Sequence, residues 1–231
     1  MKDILVGGMA ALGLPLREGA VEQLTAYWQL LEEKNRVMNL TAITGEEDCA
    51  RLHFLDCAAL LRGRSLAGKT LIDVGSGAGF PGLVLKILEP TLQVTLLDSL
   101  GKRVDFQQEV CTALGLEVRC LHARAEEAGE LYGRFDFSTA RAVSRMQMLT
   151  ELCLPFVKKG GEFLAMKGPE PEEEIAEAKN AIRILGGELK AVEKYAVPGT
   201  DAVHSIVAVR KVAPTPPKYP RSWAKIKKSP L

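Results

Sequence analysis

Leu71-Ile-Asp-Val-Gly75-Ser-Gly77-Ala-Gly79-Phe80-Pro81-Gly82 is the stretch of this sequence that decides the fold. A strand-like apolar run gives way to glycines and then to a helix-like segment, and the next apolar run ends on the carboxylate of Asp98. This order is typical of a βαβ unit that binds an adenosine-containing cofactor. A glycine turn with a purely structural role is the simpler alternative.

Asp73 bears most directly on which cofactor the turn would bind. Backbone N–H groups at a helix start attract phosphate, whereas a carboxylate about 4 Å from a phosphate opposes it by roughly 4 kcal/mol. S-adenosylmethionine has no phosphate and carries a sulfonium and an amino group, so an acid at this position favours it. Gly75, Gly77 and Gly79 have methyltransferase spacing, but Gly77-x-Gly79-x-x-Gly82 also fits the dinucleotide pattern. A nicotinamide or flavin cofactor is therefore the alternative.

The apolar and polar runs predict a mostly parallel sheet with helices on both faces, because strands and helices alternate from residue 66 onward. Strands are predicted at residues 70–75, 93–98, 117–121, 134–140, 161–167, 187–196 and 203–210, the last two as an antiparallel hairpin. Helices are predicted at residues 15–36, 46–62, 81–89, 101–114, 145–157 and 170–185. The fold class is therefore α/β, a seven-stranded Rossmann-like sheet of the S-adenosylmethionine-dependent methyltransferase type with a helical N-terminal extension.

The chain divides by composition into three segments: a helical extension (residues 1–65), a methyltransferase domain (66–211) and a basic tail (212–231). The net charge of +1 over 231 residues hides an asymmetry, since seven basic residues and no acid follow residue 209. Aromatic rings interleave with these charges, as in Tyr219-Pro-Arg-Ser-Trp223. Such a segment resembles a nucleic-acid contact, and a solvated terminus is the alternative.

The five cysteines are odd in number, scattered and without a Cys-x-x-Cys pair, so neither a disulfide framework nor a metal site is expected. No apolar run approaches 18 residues, and the first residues do not have the pattern of an export signal. We therefore expect a cytoplasmic protein with no membrane contact, acting as a monomer.

Polar residues that follow the strands are candidates for the site, because ligands of such sheets bind at the carboxyl ends of the strands. Asp98 is expected to accept hydrogen bonds from the ribose hydroxyls of the cofactor. Glu126, or an amide near Ala125, could contact adenine, although Glu126 could equally cap a surface helix. Arg141 needs an anionic partner, which is either a ligand or a structural carboxylate.

The absence of two motifs limits which kinds of acceptor atom the protein is expected to methylate. The position after the fourth strand reads Ser138-Thr-Ala-Arg141 rather than the Asn/Asp-Pro-Pro-Tyr/Phe turn that accompanies methylation of exocyclic amines. Cys153 lies in a predicted apolar helix, so it does not resemble the nucleophile that methylates a pyrimidine carbon. Guanine N7 already has a free lone pair and needs no general base. Catalysis would then consist of orienting the reacting atoms.

Several motifs together resemble one family, the bacterial small-subunit ribosomal RNA guanine-N7 methyltransferases called RsmG or glucose-inhibited division protein B. The resemblance covers about residues 20–210 and departs from the common pattern at Cys57, where serine is usual. The motifs are Asn39-Leu-Thr41, His53-Phe-Leu-Asp56, Asp73 to Gly82, Leu97-Asp-Ser99, Lys102-Arg103, Arg124-Ala-Glu126, Thr139-Ala-Arg-Ala142 and Met166-Lys-Gly168.

The resemblance implies methylation of N7 of guanine 527 in 16S ribosomal RNA, with S-adenosylmethionine as cofactor and the small ribosomal subunit or its RNA as partner. It also implies that Gly75 and Phe80 line the cofactor, that Asp98, Ser99 and Leu100 hold its ribose, and that Ala125 and Glu126 hold its adenine. Arg141 would lie between cofactor and RNA, and Arg141 and Lys167 are the candidates for positioning the base. A nicotinamide-dependent oxidoreductase and a non-catalytic RNA-binding protein are the rival hypotheses.

Overall fold

A seven-stranded sheet in the order β3-β2-β1-β4-β5-β7-β6 forms the centre of the computed structural model, which describes residues 1–141 and 144–231. The first five strands run parallel, and β7 lies antiparallel between β5 and β6. The strands are β1 (Thr70–Val74), β2 (Gln93–Asp98), β3 (Val118–His122), β4 (Phe135–Arg141), β5 (Val157–Lys167), β6 (Gly187–Ala196) and β7 (Val203–Lys211). The predicted fold class is confirmed. Ala142, from one of the family motifs, lies outside the described residues.

Helices cover both faces of this sheet. They are α1 (Lys2–Ala11), α2 (Ala20–Met38), α3 (Glu46–Asp48), a π-helix (Cys49–Leu55), α4 (Asp56–Ala58), α5 (Gly82–Leu88), α6 (Gly101–Leu114), α7 (Met146–Cys153), α8 (Glu172–Ile184) and α9 (Trp223–Lys228). Short 3₁₀ turns occur at Ala59–Leu61, Ala125–Glu127, Gly129–Leu131 and Leu154–Phe156.

Two hydrophobic cores lie on opposite faces of the sheet, because successive side chains of a strand point in opposite directions. Leu71 of β1 packs into one core, which includes α5, α6 and the N-terminal helices. Ile72 and Val74 pack into the other, which includes α7 and α8. Asp73 points to the same face as Leu71, so β1 carries one carboxylate into an otherwise apolar interior.

The N-terminal helices differ from their predicted bounds. The helix predicted from residue 15 begins at Ala20, after Gly19 with a φ of 76°. A helix at Lys2–Ala11 was not predicted, because its two adjacent glycines have poor helix propensity. Gly8 has a packing role there, since a side chain at this position would overlap Leu55 of the π-helix.

The helix predicted at residues 145–157 is wrong at its C-terminal end. It stops at Cys153, since Pro155 cannot donate the next helical hydrogen bonds. β5 then begins at Val157, four residues earlier than predicted. Gly161 permits this extension, because a side chain there would overlap the backbone carbonyl of Asp136 on β4.

Candidate functional site

Two cavities open at the carboxyl edge of the parallel strands, where the sequence predicted the site. The first, the Asp98 cavity, has a volume of about 230 Å³ at the ends of β1, β2 and β3. The second, the Arg141 cavity, has a volume of about 560 Å³ at the ends of β4 and β5 and beside β7. The Asp98 cavity is lined by Val74, Gly75, Leu97, Asp98, Ser99, Ala123, Arg124, Ala125, Glu126, Leu152 and Trp223. The Arg141 cavity is lined by Ile43, Leu52, His53, Asp56, Arg141, Met166, Lys167, Gly168, Glu174 and His204.

The glycine turn between β1 and α5 has a backbone that other residues rarely adopt. Gly75, Gly77 and Gly79 have φ values of 71°, 58° and 104°, in the left-handed region. The Gly75 amide donates to the Leu97 carbonyl at 2.8 Å, which fastens the turn to the end of β2. Three glycines are therefore required by conformation, whichever ligand the turn serves.

Asp73 lies beneath this turn and is fully buried. Its Oδ2 accepts a hydrogen bond from the Gly82 amide at 2.8 Å, at the first residue of α5. A side chain at Gly82 would overlap Leu96, so glycine is needed for this approach. Burial raises the pKa of the Asp73 carboxyl well above its usual range. Asp73 thus holds the start of α5 and does not line the Asp98 cavity, so its predicted effect on a cofactor would act through space.

Asp98 closes the turn from the end of β2. Its Oδ2 accepts from the Gly77 amide at 2.8 Å, and its Oδ1 accepts from the Leu100 amide at 2.9 Å. The Arg103 guanidinium lies 3.6 Å from Oδ2. A carboxylate offers about four acceptor positions, so Asp98 can hold the glycine turn and still accept hydrogen bonds from a diol.

The 3₁₀ turn at Ala125–Glu127 forms the far wall of the Asp98 cavity. The Tyr132 hydroxyl donates to the Ala125 carbonyl at 2.7 Å and fixes this turn. The Glu126 carboxylate lies 3.9 Å from the Arg124 guanidinium, too far for a hydrogen bond between them. Glu126 is thus held loosely and can accept from a donor inside the cavity.

Some of the predicted cofactor residues line one of the two cavities, and others lie outside both linings. Those that line the Asp98 cavity are Gly75, Asp98, Ser99, Ala125 and Glu126. Gly77 and Gly79 belong to the turn itself, while Leu100 is 48% exposed at the start of α6 and lies outside this lining. Arg141 lines the other cavity.

The chemistry of the Asp98 cavity fits S-adenosylmethionine. Asp98 and Glu126 suit hydroxyl and amino donors, as the ribose and adenine of an adenosine-containing cofactor present. Among the described residues, Asp73 Oδ1 is a buried oxygen with no hydrogen-bond partner. A nearby positive charge would favour the ionised form of this carboxyl and offset the effect of burial on its pKa. S-adenosylmethionine carries such a charge, and a dinucleotide does not place one here.

A buried network around Asp56 forms the floor of the Arg141 cavity. Asp56 Oδ1 accepts from the Tyr195 hydroxyl and from His204 Nδ1, both at 2.7 Å, and its Oδ2 lies 3.2 Å from Arg141 Nη1. Burial alone would raise the pKa of Asp56, but the His204 hydrogen bond, the Arg141 charge and Tyr195 together lower it. The same hydrogen bond raises the pKa of His204. Arg141 is thus both an ion-pair partner and a cavity residue.

His53 connects Arg141 to the Asn39-Leu40-Thr41 motif. Arg141 Nη2 lies 2.7 Å from His53 Nδ1, and His53 Nε2 lies 2.9 Å from Thr41 Oγ1. Burial, together with the Arg141 charge, lowers the pKa of His53 to about 3. Because arginine can only donate, neutral His53 accepts at Nδ1 and carries its proton on Nε2. Asn35 in turn holds Thr41 through two hydrogen bonds of 2.9 Å.

Phe80 links the glycine turn to the Arg141 cavity. Its ring stacks on the His53 ring at a centroid distance of 4.2 Å, and the Arg141 guanidinium lies 5.0 Å from its centroid. Cation–π contacts of this length are favourable by about 0.5–2 kcal/mol. The phenylalanine of the Gly-Phe-Pro-Gly sequence therefore fixes the orientation of both side chains.

Lys167 lies at the opposite wall of the Arg141 cavity and is held by two acceptors. Its Nζ donates to the Ser144 carbonyl and to Glu174 Oε2, each at 2.7 Å. Glu174 Oε2 also accepts from the Met146 amide at 2.9 Å. Both candidate cations, Arg141 and Lys167, are therefore engaged by carboxylates and face the same cavity as positioned hydrogen-bond donors.

Sequence reasoning missed several residues of these cavities. His53, Asp56 and Thr41 stood in recognised motifs but had no assigned role. Tyr195 and His204 gave no signal, because their contacts with Asp56 join segments that lie far apart in the sequence. Glu174 was hidden in an acidic helix start, although its partner Lys167 is only seven residues away. Trp223 was assigned to a basic tail, yet it lines the Asp98 cavity.

The cysteines, the metal-binding side chains and the apolar helices can be described over the residues that the structure covers. The cysteine thiols are free, and Cys153 is buried in α7, as predicted. No cluster of three or more His, Cys, Asp or Glu side chains within residues 1–141 and 144–231 could hold a metal ion. Over the same residues, no helix combines the length and the apolar character needed to span a bilayer.

Comparison with known proteins gives consistent matches. A family model described as GidB, rRNA small subunit methyltransferase G, matches residues 20–201. A ribosomal RNA small subunit methyltransferase G from Alkaliphilus metalliredigens is 45% identical over 100% of this chain and 98% of its own length. One of the same name from Clostridium perfringens (strain 13 / Type A) is 42% identical over 99% and 98%. A SAM-dependent methyltransferase structure from Aquifex aeolicus shares the fold, with a TM-score of 0.53, 21% identity, and coverage of 71% and 93%.

Proposed function

The chain belongs to the rRNA small subunit methyltransferase G family, and from this premise we propose that it methylates N7 of guanine 527 in 16S ribosomal RNA. Its relatives carry small-subunit ribosomal RNA in their names, and the family resemblance of the motifs supplies the nucleotide and the atom. The partner is then the small ribosomal subunit or its RNA, and the place of action is the cytoplasm.

The observation that carries the proposal is the adjacency of two cavities with different chemistry at one edge of the sheet. The Asp98 cavity offers carboxylates and a glycine turn for S-adenosylmethionine. The Arg141 cavity offers paired cations and carboxylates, which suit the polar edge of a purine. Phe80, at the end of the glycine turn, contacts two residues of the Arg141 cavity. Methyl transfer requires a donor and an acceptor site arranged side by side in this way.

When bound, S-adenosylmethionine supplies an electrophilic methyl group. The residues of the chain then have to position the acceptor nitrogen, because guanine N7 carries no proton that must be removed. Arg141 and Lys167 donate hydrogen bonds from fixed positions, since Asp56 and Glu174 hold them. Guanine O6 accepts such bonds, and it lies on the same edge of the base as N7.

The carboxylates of the Arg141 cavity suit the charge that develops on the base. Methylation at N7 leaves a positive charge on the purine ring, and a preorganised negative group near that ring stabilises it. Asp56 and Glu174 are such groups, and each already holds a cation of the cavity. Neutral His53 adds no further positive charge beside the base. The roles of Arg141, Lys167, Asp56, Glu174 and His53 are part of the proposal.

Two measurements on the full chain test the function. Calorimetry with S-adenosylhomocysteine and with NADH separates a methyltransferase from an oxidoreductase. We expect binding of the former alone, and tight NADH binding without a response to S-adenosylhomocysteine would overturn the proposal. Transfer of a labelled methyl group to an undermodified small-subunit particle then separates an enzyme from a non-catalytic RNA-binding protein, which would incorporate none.

A further inference from the structure

The C-terminal segment, residues 212–231, is attached to the domain at its first residues. Lys211, the last residue of β7, is 3% exposed and donates to the carbonyls of Leu154 and Leu185 at 3.2 and 2.8 Å. The Val212 amide donates to the Gly186 carbonyl at 2.8 Å. The segment therefore leaves the sheet across the α7 and α8 side of the molecule rather than into solvent.

A buried ion pair fixes the middle of the C-terminal segment. Arg221 binds both carboxylate oxygens of Glu151 on α7, with Nε 2.8 Å from Oε1 and Nη2 2.6 Å from Oε2, and its amide donates to Oε1 at 2.9 Å. The Glu151 side chain is only 1% exposed. A buried carboxylate without its partner is strongly destabilising, so α7 carries a charge that this docked segment satisfies.

The short helix α9 presents different chemistry on its two sides. Ile226 is fully buried in the same core as α7, whereas Lys225, Lys227 and Lys228 are exposed. Trp223, the first residue of α9, is partly buried against that core. The basic charge of the segment thus faces outward, and its apolar residues face the domain.

We propose that the docked C-terminal segment completes the cofactor site, with the Trp223 indole as the aromatic wall for the purine of S-adenosylmethionine. This inference rests on the proposed cofactor role of the Asp98 cavity. Trp223 lines that cavity together with Ala125, Glu126 and Leu152, and it is the one aromatic ring among the residues of the lining. Ala125 and Glu126 are the residues assigned to adenine. A flat indole beside them suits a purine, because aromatic side chains stack on bases.

Docking and cofactor affinity are therefore coupled in this chain. Arg221 lies two residues before Trp223, so the ion pair with Glu151 places the indole at the cavity. An outward basic face leaves room for an RNA contact by the same segment, but that contact would not require Trp223. The two roles are separable by substitutions on the two sides of α9.

The test compares Trp223→Ala, Trp223→Phe and Lys227→Ala in the full-length protein, with S-adenosylhomocysteine as the probe in calorimetry. We expect the dissociation constant to rise about tenfold in Trp223→Ala, as stacking energies predict. Trp223→Phe should stay within about threefold of wild type, since it keeps an aromatic face. Lys227→Ala should leave the constant unchanged. Methylation by Trp223→Ala should recover at saturating S-adenosylmethionine, so that KM changes and kcat does not.

Equal dissociation constants for wild type and a folded Trp223→Ala protein would overturn the inference. Tighter binding by Trp223→Ala would also overturn it, because the C-terminal segment would then hinder binding of the cofactor. A wild-type protein that binds no S-adenosylhomocysteine would instead overturn the proposed function. Fluorescence gives a second readout, because the chain has two tryptophans. In Trp28→Phe, Trp223 is the remaining indole. Its emission should change on titration with S-adenosylhomocysteine, and constant emission during saturable binding would contradict the assignment.

Discussion

The two cavities are built in different ways although they share one edge of the sheet. Most of the Asp98 cavity is formed by backbone conformation and by residues close in sequence to the strand ends, such as Gly75 and Ser99, and Trp223 closes it from the C-terminal segment. The Arg141 cavity depends on side chains that meet across long separations, as Asp56 meets Tyr195 and His204. The strand-end side of the first is therefore fixed by local geometry, and the second depends on the packing of the N-terminal helices against the sheet.

This comparison predicts that the Arg141 cavity is the more sensitive to loss of one charged residue. Asp56→Ala would leave Arg141 and His204 without their shared carboxylate in a buried setting. We expect the free energy of unfolding to fall by about 3–5 kcal/mol, as measured by urea denaturation. Asp201→Ala, which removes an exposed aspartate, is the control and should change stability little. If the free energy of unfolding fell by less than about 1 kcal/mol in Asp56→Ala, the buried charges of Arg141 and His204 would not depend on Asp56 for their stability.

In the Asp98 cavity, the corresponding substitution should lower cofactor affinity, in addition to removing the acceptor of the Gly77 and Leu100 amides. Asp98→Ala removes hydrogen bonds that a charged acceptor makes, each worth about 1.5–3 kcal/mol. The KM for S-adenosylmethionine should therefore rise roughly 10- to 150-fold, while RNA affinity stays near normal. Asp105→Ala, an exposed change on α6, serves as the control. Equal losses of cofactor and RNA affinity would contradict the ribose assignment.

The glycine turn offers a sharper test of local geometry. A methyl group at Gly82 would overlap Leu96 and crowd Asp73, so Gly82→Ala should destabilise the protein by about 1–3 kcal/mol. Gly7 lies in α1 with open space around it, and Gly7→Ala should stabilise by about 0.5–1 kcal/mol. Thermal unfolding of both variants measures this difference. Similar melting temperatures would mean that a side chain at Gly82 can be accommodated between α5 and β2 without loss of stability.

The smallest expected effect is a pH dependence of stability from the Arg141 cavity. The hydrogen bond to Asp56 raises the folded-state pKa of His204 above 6.5, so its stabilising contribution is complete below pH 6.5. That contribution is lost as the pH rises through the folded pKa. Burial lowers the pKa of Lys211 to about 8, which acts with the opposite sign from about pH 8 upward.

The difference in the free energy of unfolding between wild type and His204→Gln, measured by urea denaturation between pH 6 and 7.5, isolates His204. The comparison is needed because the lowered pKa of His53 makes a contribution of the opposite sign over the same range. The stability advantage of the wild type should shrink as the pH rises, and a difference that stays constant with pH would show that titration of His204 does not contribute.

The sequence predicts the sheet and the glycine turn well, because both rest on local patterns. Each of the predicted strands is present, and Asp98 ends β2 beside the turn. The site around Arg141 was predicted only in outline. No periodicity indicates that His204 on β7 and Asp56 on the N-terminal side share a hydrogen bond, since register and packing decide that contact. Trp223 was obscured by the charge of its neighbours, which pointed to solvent or RNA.

Identification of the methylated atom is the most direct test of the proposed function. Undermodified small-subunit particles would be incubated with the protein and S-adenosylmethionine, and the RNA cleaved by a reagent that attacks the positively charged ring of N7-methylguanine. Reverse transcription would then locate the break. A single new stop at guanine 527 is expected, and it should be absent without cofactor. Methyl transfer to another nucleotide, or to an exocyclic amine that resists this cleavage, would contradict it.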